Sequence, residues 1–212
     1  GGPFREREDL DNLTVEDALN HPNWKMGHKI SIDSATLINK GFELIEAYWL
    51  FPIKLPQIQV VVHPQSIIHS MVEFVDGSII AHLGVTDMRI PIQYALSYPE
   101  RIKNTLPRLK FSELKKLTFH EPDYKKFRNL ELAMNVIEKK GLYPAALNAS
   151  NEIAVANFIN KKINFKQITE CNACVVENLS FKGALSLDNI LKADNIAREE
   201  ALKWISQFGL RK

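Results

Sequence analysis

Along the chain, the alternation of apolar and polar positions changes character near the middle. In the first hundred residues, short alternating and β-branched stretches interrupt helical ones. Lys29-Ile-Ser-Ile-Asp33 alternates in the manner of a strand, and from about Thr36 to Phe51 the apolar positions recur at helical spacing. Gln59-Val-Val-Val-His63 is a compact β-branched run and reads as a buried strand. Met71 to Val75 and Ser78 to Leu83 flank Asp76-Gly77, a dipeptide suited to the positive φ of a tight hairpin turn. A helix is expected from Ile90 to Ser97. Residues 1–28 are polar and loop-like, with one short helix where Thr14 and Asp17 stand at capping distance.

Beyond Tyr124 no strand pattern returns. Four helical stretches are expected, at about 125–140, 145–162, 165–179 and 187–207. Gly141 and Pro144 end the first, Asn164 marks a break, and Ser186 caps the last. Pro99, Pro107 and Pro122 punctuate the basic stretch between the two halves, which reads as a surface connection. These patterns give an α+β fold. Residues 1–97 form a mixed-sheet portion, 98–123 a linker and 124–212 a small helical bundle.

Composition adds mainly exclusions. The chain has 212 residues, 45% of them hydrophobic and 25% charged, enough to bury a real core. A net charge of +2, from 27 basic and 25 acidic residues, gives no support for a nucleic-acid or membrane-surface partner. No apolar run approaches the roughly 20 residues of a membrane helix. Cys171 and Cys174 form one C-x-x-C inside a helical pattern, too few ligands for a structural zinc, and read as reduced packing thiols. The first residues carry neither a signal-peptide pattern nor a methionine, so the chain is expected to start mid-protein.

Candidate chemistry concentrates in residues 33–46. At roughly 100° per residue, Ile38, Phe42, Ile45 and Trp49 fall on one stripe, the expected core face. Asn39, Lys40, Glu43 and Glu46 fall on the opposite side, where neighbours three and four apart touch. Ser34 is expected just ahead of the first turn, where backbone N–H groups favour an anion. A hydroxyl, an amide and an ammonium there suit a phosphate, and Glu43 one turn deeper suits a hard divalent cation. From the pattern alone, the ordinary reading is a surface ion pair between Lys40 and Glu43 and a capping role for Ser34. His21, before Pro22, fits an exposed loop position, whereas Trp24 in the same polar loop wants an apolar surface to cover.

The ordered motifs narrow the reading. Gly1-Gly-Pro-Phe-Arg-Glu6, His21-Pro-Asn-Trp-Lys-Met-Gly27, Lys29-Ile-Ser-Ile-Asp-Ser-Ala-Thr36, Asn39-Lys-Gly41 and Glu43 closely resemble the 1-deoxy-D-xylulose 5-phosphate reductoisomerase family. His63-Pro-Gln-Ser66, Ile68-His-Ser70, Thr86-Asp-Met-Arg-Ile-Pro91 and Leu147-Asn-Ala-Ser-Asn-Glu152 continue the likeness along the whole chain. Two departures are small: the loop before His21 is slightly short, and Thr86 stands where many members carry proline.

The resemblance implies conversion of 1-deoxy-D-xylulose 5-phosphate to 2-C-methyl-D-erythritol 4-phosphate in non-mevalonate isoprenoid synthesis, with NADPH and Mg²⁺ or Mn²⁺. Carried onto matching positions, it implies that Ser34, Asn39 and Lys40 bind the substrate's phosphate end. Glu43 would ligate the metal and contact substrate, and His21 would contact substrate from a lid loop at about residues 7–27 that includes Trp24. Gly27 and Met26 would lie against NADPH. His63 and His69 are read as structural or supporting. Two further metal ligands, in an Asp-Ser-Glu motif, and the Rossmann domain would precede Gly1, so this chain alone is expected to be inactive. The partners implied are the N-terminal NADPH-binding portion and a second copy, with the hairpin-bearing sheet face as the dimer contact. The expected location is the bacterial cytoplasm, or a plastid-type organelle in a eukaryote. Competing readings are a standalone dimerisation module and a free phosphosugar-binding protein; tight substrate binding by this chain alone would favour the last.

Overall fold

The computed structural model describes residues 4, 10, 12–20 and 27–209. In chain order, the elements are α1 (Val15–Leu19), α2 (His28–Ala35), α3 (Ile38–Leu50), β1 (Ile68–Glu73), β2 (Ile79–Leu83), α4 (Arg89–Ser97), α5 (Arg128–Lys139), α6 (Tyr143–Ile159), α7 (Phe165–Asn178) and α8 (Leu187–Phe208). They form two compact units. One runs from Val61 to His120; the other joins the residues up to Val60 with those from Glu121 onward. The helical unit therefore takes in α1–α3 as well as the tail helices.

Local chemistry explains most boundaries. Thr14 and Asp17 form a reciprocal capping box at α1, and Asn164 and Gln167 do the same at α7. The Ser186 hydroxyl caps α8 by accepting from the Asn189 N–H. Lys140 and Gly141, both at positive φ, close α5. No strand occurs after Tyr124 among the described residues, and the four tail helices fall where periodicity places them.

Two apolar clusters hold the helical unit. In one, Ile32 and Ala35 of α2 pack with Ala146, Val155, Ile168 and Ala197. In the other, Ile38, Leu44 and Ile45 of α3 pack with Leu130, Val136 and Leu147. Helix α6 runs between them, buried on several sides. The α3–α5 approach is unusually close, because Gly41 has no side chain: a Cβ there would stand 2.7 Å from the Ala133 Cβ.

Several expectations are corrected. Lys29–Asp33 is helical, not a strand, and the polar residues Ser31 and Asp33 are buried with Ile32 while Ile30 is exposed. The run Gln59–His63 forms only a one-residue bridge, Val62 to His120, with Val61 exposed. The sheet portion consists, among the described residues, of the antiparallel β1–β2 hairpin, in keeping with the expected α+β class. The core stripe of α3 uses Gly41 and Leu44 beside Ile38 and Ile45, leaving Phe42 half-buried and Trp49 52% exposed.

The hairpin itself is as expected. Gly77, at φ +82°, donates to the Phe74 carbonyl, and Asp76 accepts from the Ser78 N–H and hydroxyl. The two ends of this unit are clamped to each other. Val62 and His120 exchange hydrogen bonds of 2.8 and 2.9 Å. Gln65 bonds the Thr118 hydroxyl and backbone N–H. The His63 Nδ1 lies 2.8 Å from the Thr118 carbonyl, so that nitrogen carries the proton, and the ring stacks on Phe119 at 4.7 Å.

The close approach makes a stability prediction. Gly41→Ala should destabilise the protein by about 1–3 kcal/mol through overpacking against Ala133. Combining it with Ala133→Gly should recover most of that loss in urea unfolding; no loss in the single variant would contradict the packing described.

Candidate active site

Helices α2 and α3 meet at a sharp corner, and the candidate residues gather around it. Leu37, the residue before α3, sits in the left-handed region at φ +59°, a conformation that is costly for leucine and turns the chain abruptly. The buried Thr36 hydroxyl ties the corner: it donates to the Asp33 carbonyl at 3.3 Å and accepts from the Ile38 N–H at 3.5 Å. Because α3 begins at Ile38, Asn39 and Lys40 occupy its first turn, where backbone N–H groups are not used by the helix's own ladder. Ser34 does not precede that helix as expected; it lies half-buried in the last turn of α2.

On the next turn Glu43 gathers the polar face. Asn39 Nδ2 donates to one carboxylate oxygen at 2.9 Å and Lys40 Nζ to the other at 2.5 Å. Lys40 and Glu43 keep 39% and 46% of their side chains exposed, so the pair contributes little to stability and stays open to a ligand. Beside it, a cleft of about 680 Å³ is lined in part by Gly27, Lys29, Asp33, Asn39, Phe42 and Asn148. Gly27 caps α2, and among the described residues nothing lies within 4 Å of the place a side chain would occupy there. The Lys29 ammonium stands 5.6 Å from the Phe42 ring centre.

The feature that sequence reading missed is beneath the corner. The Asp33 carboxylate is buried and accepts from Lys29 Nζ at 2.6 Å and from Asn151 Nδ2 of α6 at 2.8 Å. Burial pushes its pKa up, against the opposing pull of the Lys29 and Asn151 hydrogen bonds. Asp33 and Asn151 both stand in the quoted motifs, and a helical reading of residues 28–35 would have turned Asp33 inward.

Of the remaining candidates, His21, Trp24 and Met26 lie outside the described residues, with most of the expected lid. Among the described residues no three His, Cys, Asp or Glu side chains converge as a metal site, so Glu43 offers one hard oxygen donor and not a complete set. His69 and His82 lie 5.5 Å apart in the hairpin, and burial, then the neighbouring His82, holds the His69 pKa down. Cys171 is buried, its thiol pushed up to about 12 by burial, and Cys174 is also free of a disulfide. Among the described residues no helix is long and apolar enough to cross a membrane.

Comparison with known proteins gives a consistent result. Residues 83–200 match the family model described as DXP reductoisomerase C-terminal domain. Residues 1–51 match a second, described as 1-deoxy-D-xylulose 5-phosphate reductoisomerase C-terminal domain. The reductoisomerase of Desulforamulus reducens is 56% identical over 207 residues, covering 97% of this chain and 54% of that protein. That of Caldanaerobacter subterraneus subsp. tengcongensis is 54% identical, covering 96% and 54%. The Zymomonas mobilis enzyme, solved in complex with NADPH, superposes with a TM-score of 0.90 at 44% identity, over 98% of this chain and 54% of that one. A reductoisomerase solved with NADPH, fosmidomycin and magnesium gives 0.91 at 44%, over 97% and 53%. The chain thus spans about half the length of the relatives it matches.

Asp33 makes a pH prediction. Its folded-state pKa lies above the ordinary value, so its contribution to stability is fullest below the unfolded pKa and is lost as pH rises through the folded one. Asp33→Asn removes that loss. In urea unfolding across the acid range, the stability of the native protein relative to Asp33→Asn should fall as pH rises; a flat or rising difference would refute the assignment.

Proposed function

The chain belongs to the 1-deoxy-D-xylulose 5-phosphate reductoisomerase family, and from that premise we propose that it supplies the substrate-gripping share of an enzyme that isomerises and reduces 1-deoxy-D-xylulose 5-phosphate to 2-C-methyl-D-erythritol 4-phosphate. NADPH and Mg²⁺ or Mn²⁺ are its cofactors in this reading, and an N-terminal NADPH-binding portion is its partner. The observation that carries the proposal is the Asn39–Glu43–Lys40 cluster on the first turns of α3, beside the cleft that Gly27 opens.

Asn39, Lys40 and the first-turn N–H groups grip the substrate's phosphate, with Ser34 contributing from the end of α2. Lys40 supplies a mobile positive charge, and Asn39 supplies a directional donor. Glu43 gives a carboxylate oxygen to the metal, which acts when bound as a Lewis acid on the substrate's carbonyl. The remaining ligands come from outside the described residues. Gly27, lacking a side chain, lets the dinucleotide approach the start of α2 closely, with Met26 beside it. His21 and Trp24 complete the site from the lid and exclude water.

Two variants separate these roles. In the full-length enzyme, Lys40→Ala should raise the substrate KM by the loss of a charge-assisted contact of about 1.5–3 kcal/mol. Glu43→Gln should cut turnover by several orders of magnitude, with partial rescue by excess Mn²⁺ and unchanged stability, since Glu43 is exposed. Normal kinetics in both would reduce the cluster to a surface ion pair.

The enzyme is a homodimer in this proposal, and the hairpin is the contact. Val72, Phe74, Ile79 and Ile80 are 58%, 47%, 58% and 66% exposed, more apolar surface than a hairpin leaves to water without cause. A cytoplasmic location fits the free thiols. Ile80→Glu should shift the sedimenting species from dimer to monomer at micromolar concentration; a native protein that is already monomeric there would remove this contact from the proposal.

A further inference from the structure

The buried carboxylate of Asp33 heads a chain of side-chain amides crossing three helices. Asn151 Nδ2 of α6 donates to Asp33 Oδ1 at 2.8 Å, and Asn151 Oδ1 accepts from Asn172 Nδ2 of α7 at 3.1 Å. Asn172 Nδ2 also donates to Asn129 Oδ1 of α5 at 3.2 Å, while Asn172 Oδ1 accepts from Ser150 Oγ at 3.1 Å. Asn129, Ser150, Asn151 and Asn172 are all fully buried.

The direction of this chain is set at one end. A carboxylate only accepts, so Asn151 must turn its Nδ2 toward Asp33 and its Oδ1 toward Asn172. Asn172 must then donate onward, and Asn129 must receive with its oxygen. The mismatch falls at the far end: Asn129 Nδ2 is buried with no hydrogen-bond acceptor among the described residues. The fold leaves that donor orphaned and satisfies Asp33, so the Asp33 end governs the arrangement.

What Asp33 holds in turn is the corner. Its backbone carbonyl takes the Thr36 hydroxyl, which takes the Ile38 N–H, and Asn39 and Lys40 follow directly. We infer that Asn151, in the middle of α6, is a positioning residue for the phosphate grip: through Asp33 and Thr36 it fixes where α3 begins, and so where Asn39 and Lys40 meet the substrate. The inference rests on the reading of those two residues as phosphate ligands. Asn151 touches no substrate; it acts through the corner.

The test is steady-state kinetics of the full-length enzyme with 1-deoxy-D-xylulose 5-phosphate and NADPH. Asn151→Asp sets two carboxylates against each other and should displace the C-terminal end of α2 and the corner, leaving the Gly27 end in place. The phosphosugar KM should rise about tenfold or more, with kcat changed less than about threefold and the NADPH KM unmoved. The exchange Asp33→Asn with Asn151→Asp moves the carboxylate to position 151, between the amide placed at 33 and Asn172 Nδ2. It should return the KM to within about threefold of native. Should Asn151→Asp fail to fold, Asn151→Ser, which withdraws the amide without adding charge, is read the same way. An unchanged phosphosugar KM in the folded single variant, or an exchange that leaves KM high, overturns the inference. Lys40→Ala serves as the control: if it too leaves KM unchanged, the phosphate-grip reading has failed, and not merely the role of Asn151.

Discussion

A carboxylate buried beneath the cleft, against a helical core, is the constraint on which the candidate site depends. Removing the Asp33 charge from water is costly, and its hydrogen bonds to Lys29 and Asn151 offset that cost only in part, as the upward-shifted pKa indicates. Such a group can sit in one place only, where its partners are. Apolar packing of Ile32 and Ala35 would tolerate small slides of α2; a bond from Asp33 to the buried amide of α6 does not. The same helix α6 then ties outward through Glu152 to Arg198 of α8 at 2.6 Å, so the site's foundation reaches the far side of the unit.

Rigidity below is matched by openness above. Asn39 and Lys40 each donate to Glu43 on an exposed turn, in pairs weak enough to be exchanged for ligand contacts. On its other side α3 is seated closely on α5, where Gly41 lies almost against Ala133. Glycine within Asn39-Lys-Gly41 thus serves the neighbouring functional side chains by allowing α3 to seat closely on α5. Fixed backbone with replaceable side-chain partners is the arrangement that a preformed anion grip requires.

The sequence made the tail helices and the hairpin legible, because their caps, glycines and apolar spacing all agree with the final packing. It failed where burial and polarity part company. Ser31 and Asp33 are polar yet buried, and Ile30 is apolar yet exposed, so a period-two reading of Lys29–Asp33 places these three on the wrong side. The β-branched run at 60–62 has strand propensity but only one rung of partner backbone, Val62 with His120. Trp49 was assigned to the core by spacing, whereas the shorter residues Gly41 and Leu44 allow α5 to approach on a different line. Asn39, Lys40 and Glu43 were legible as neighbours from helical spacing alone. Their meaning as a site came from the ordered motifs, and the support of Asn151 came only with the fold.

The clamp at the ends of the hairpin unit bears on how the helical unit can assemble. Seen from α3 and α5, Val61–His120 is a long excursion between two helices that must find each other. Closing a flexible loop costs entropy that grows by about 0.6 kcal/mol with each doubling of its length. Val62 paired to His120, with His63 and Gln65 fastened to Thr118, shortens the effective loop to residues 51–62 and 120–127. Once that clamp has formed, α3 and α5 are joined by a shorter effective loop, and the excursion beyond the rung can vary in length at little entropic expense to the helices.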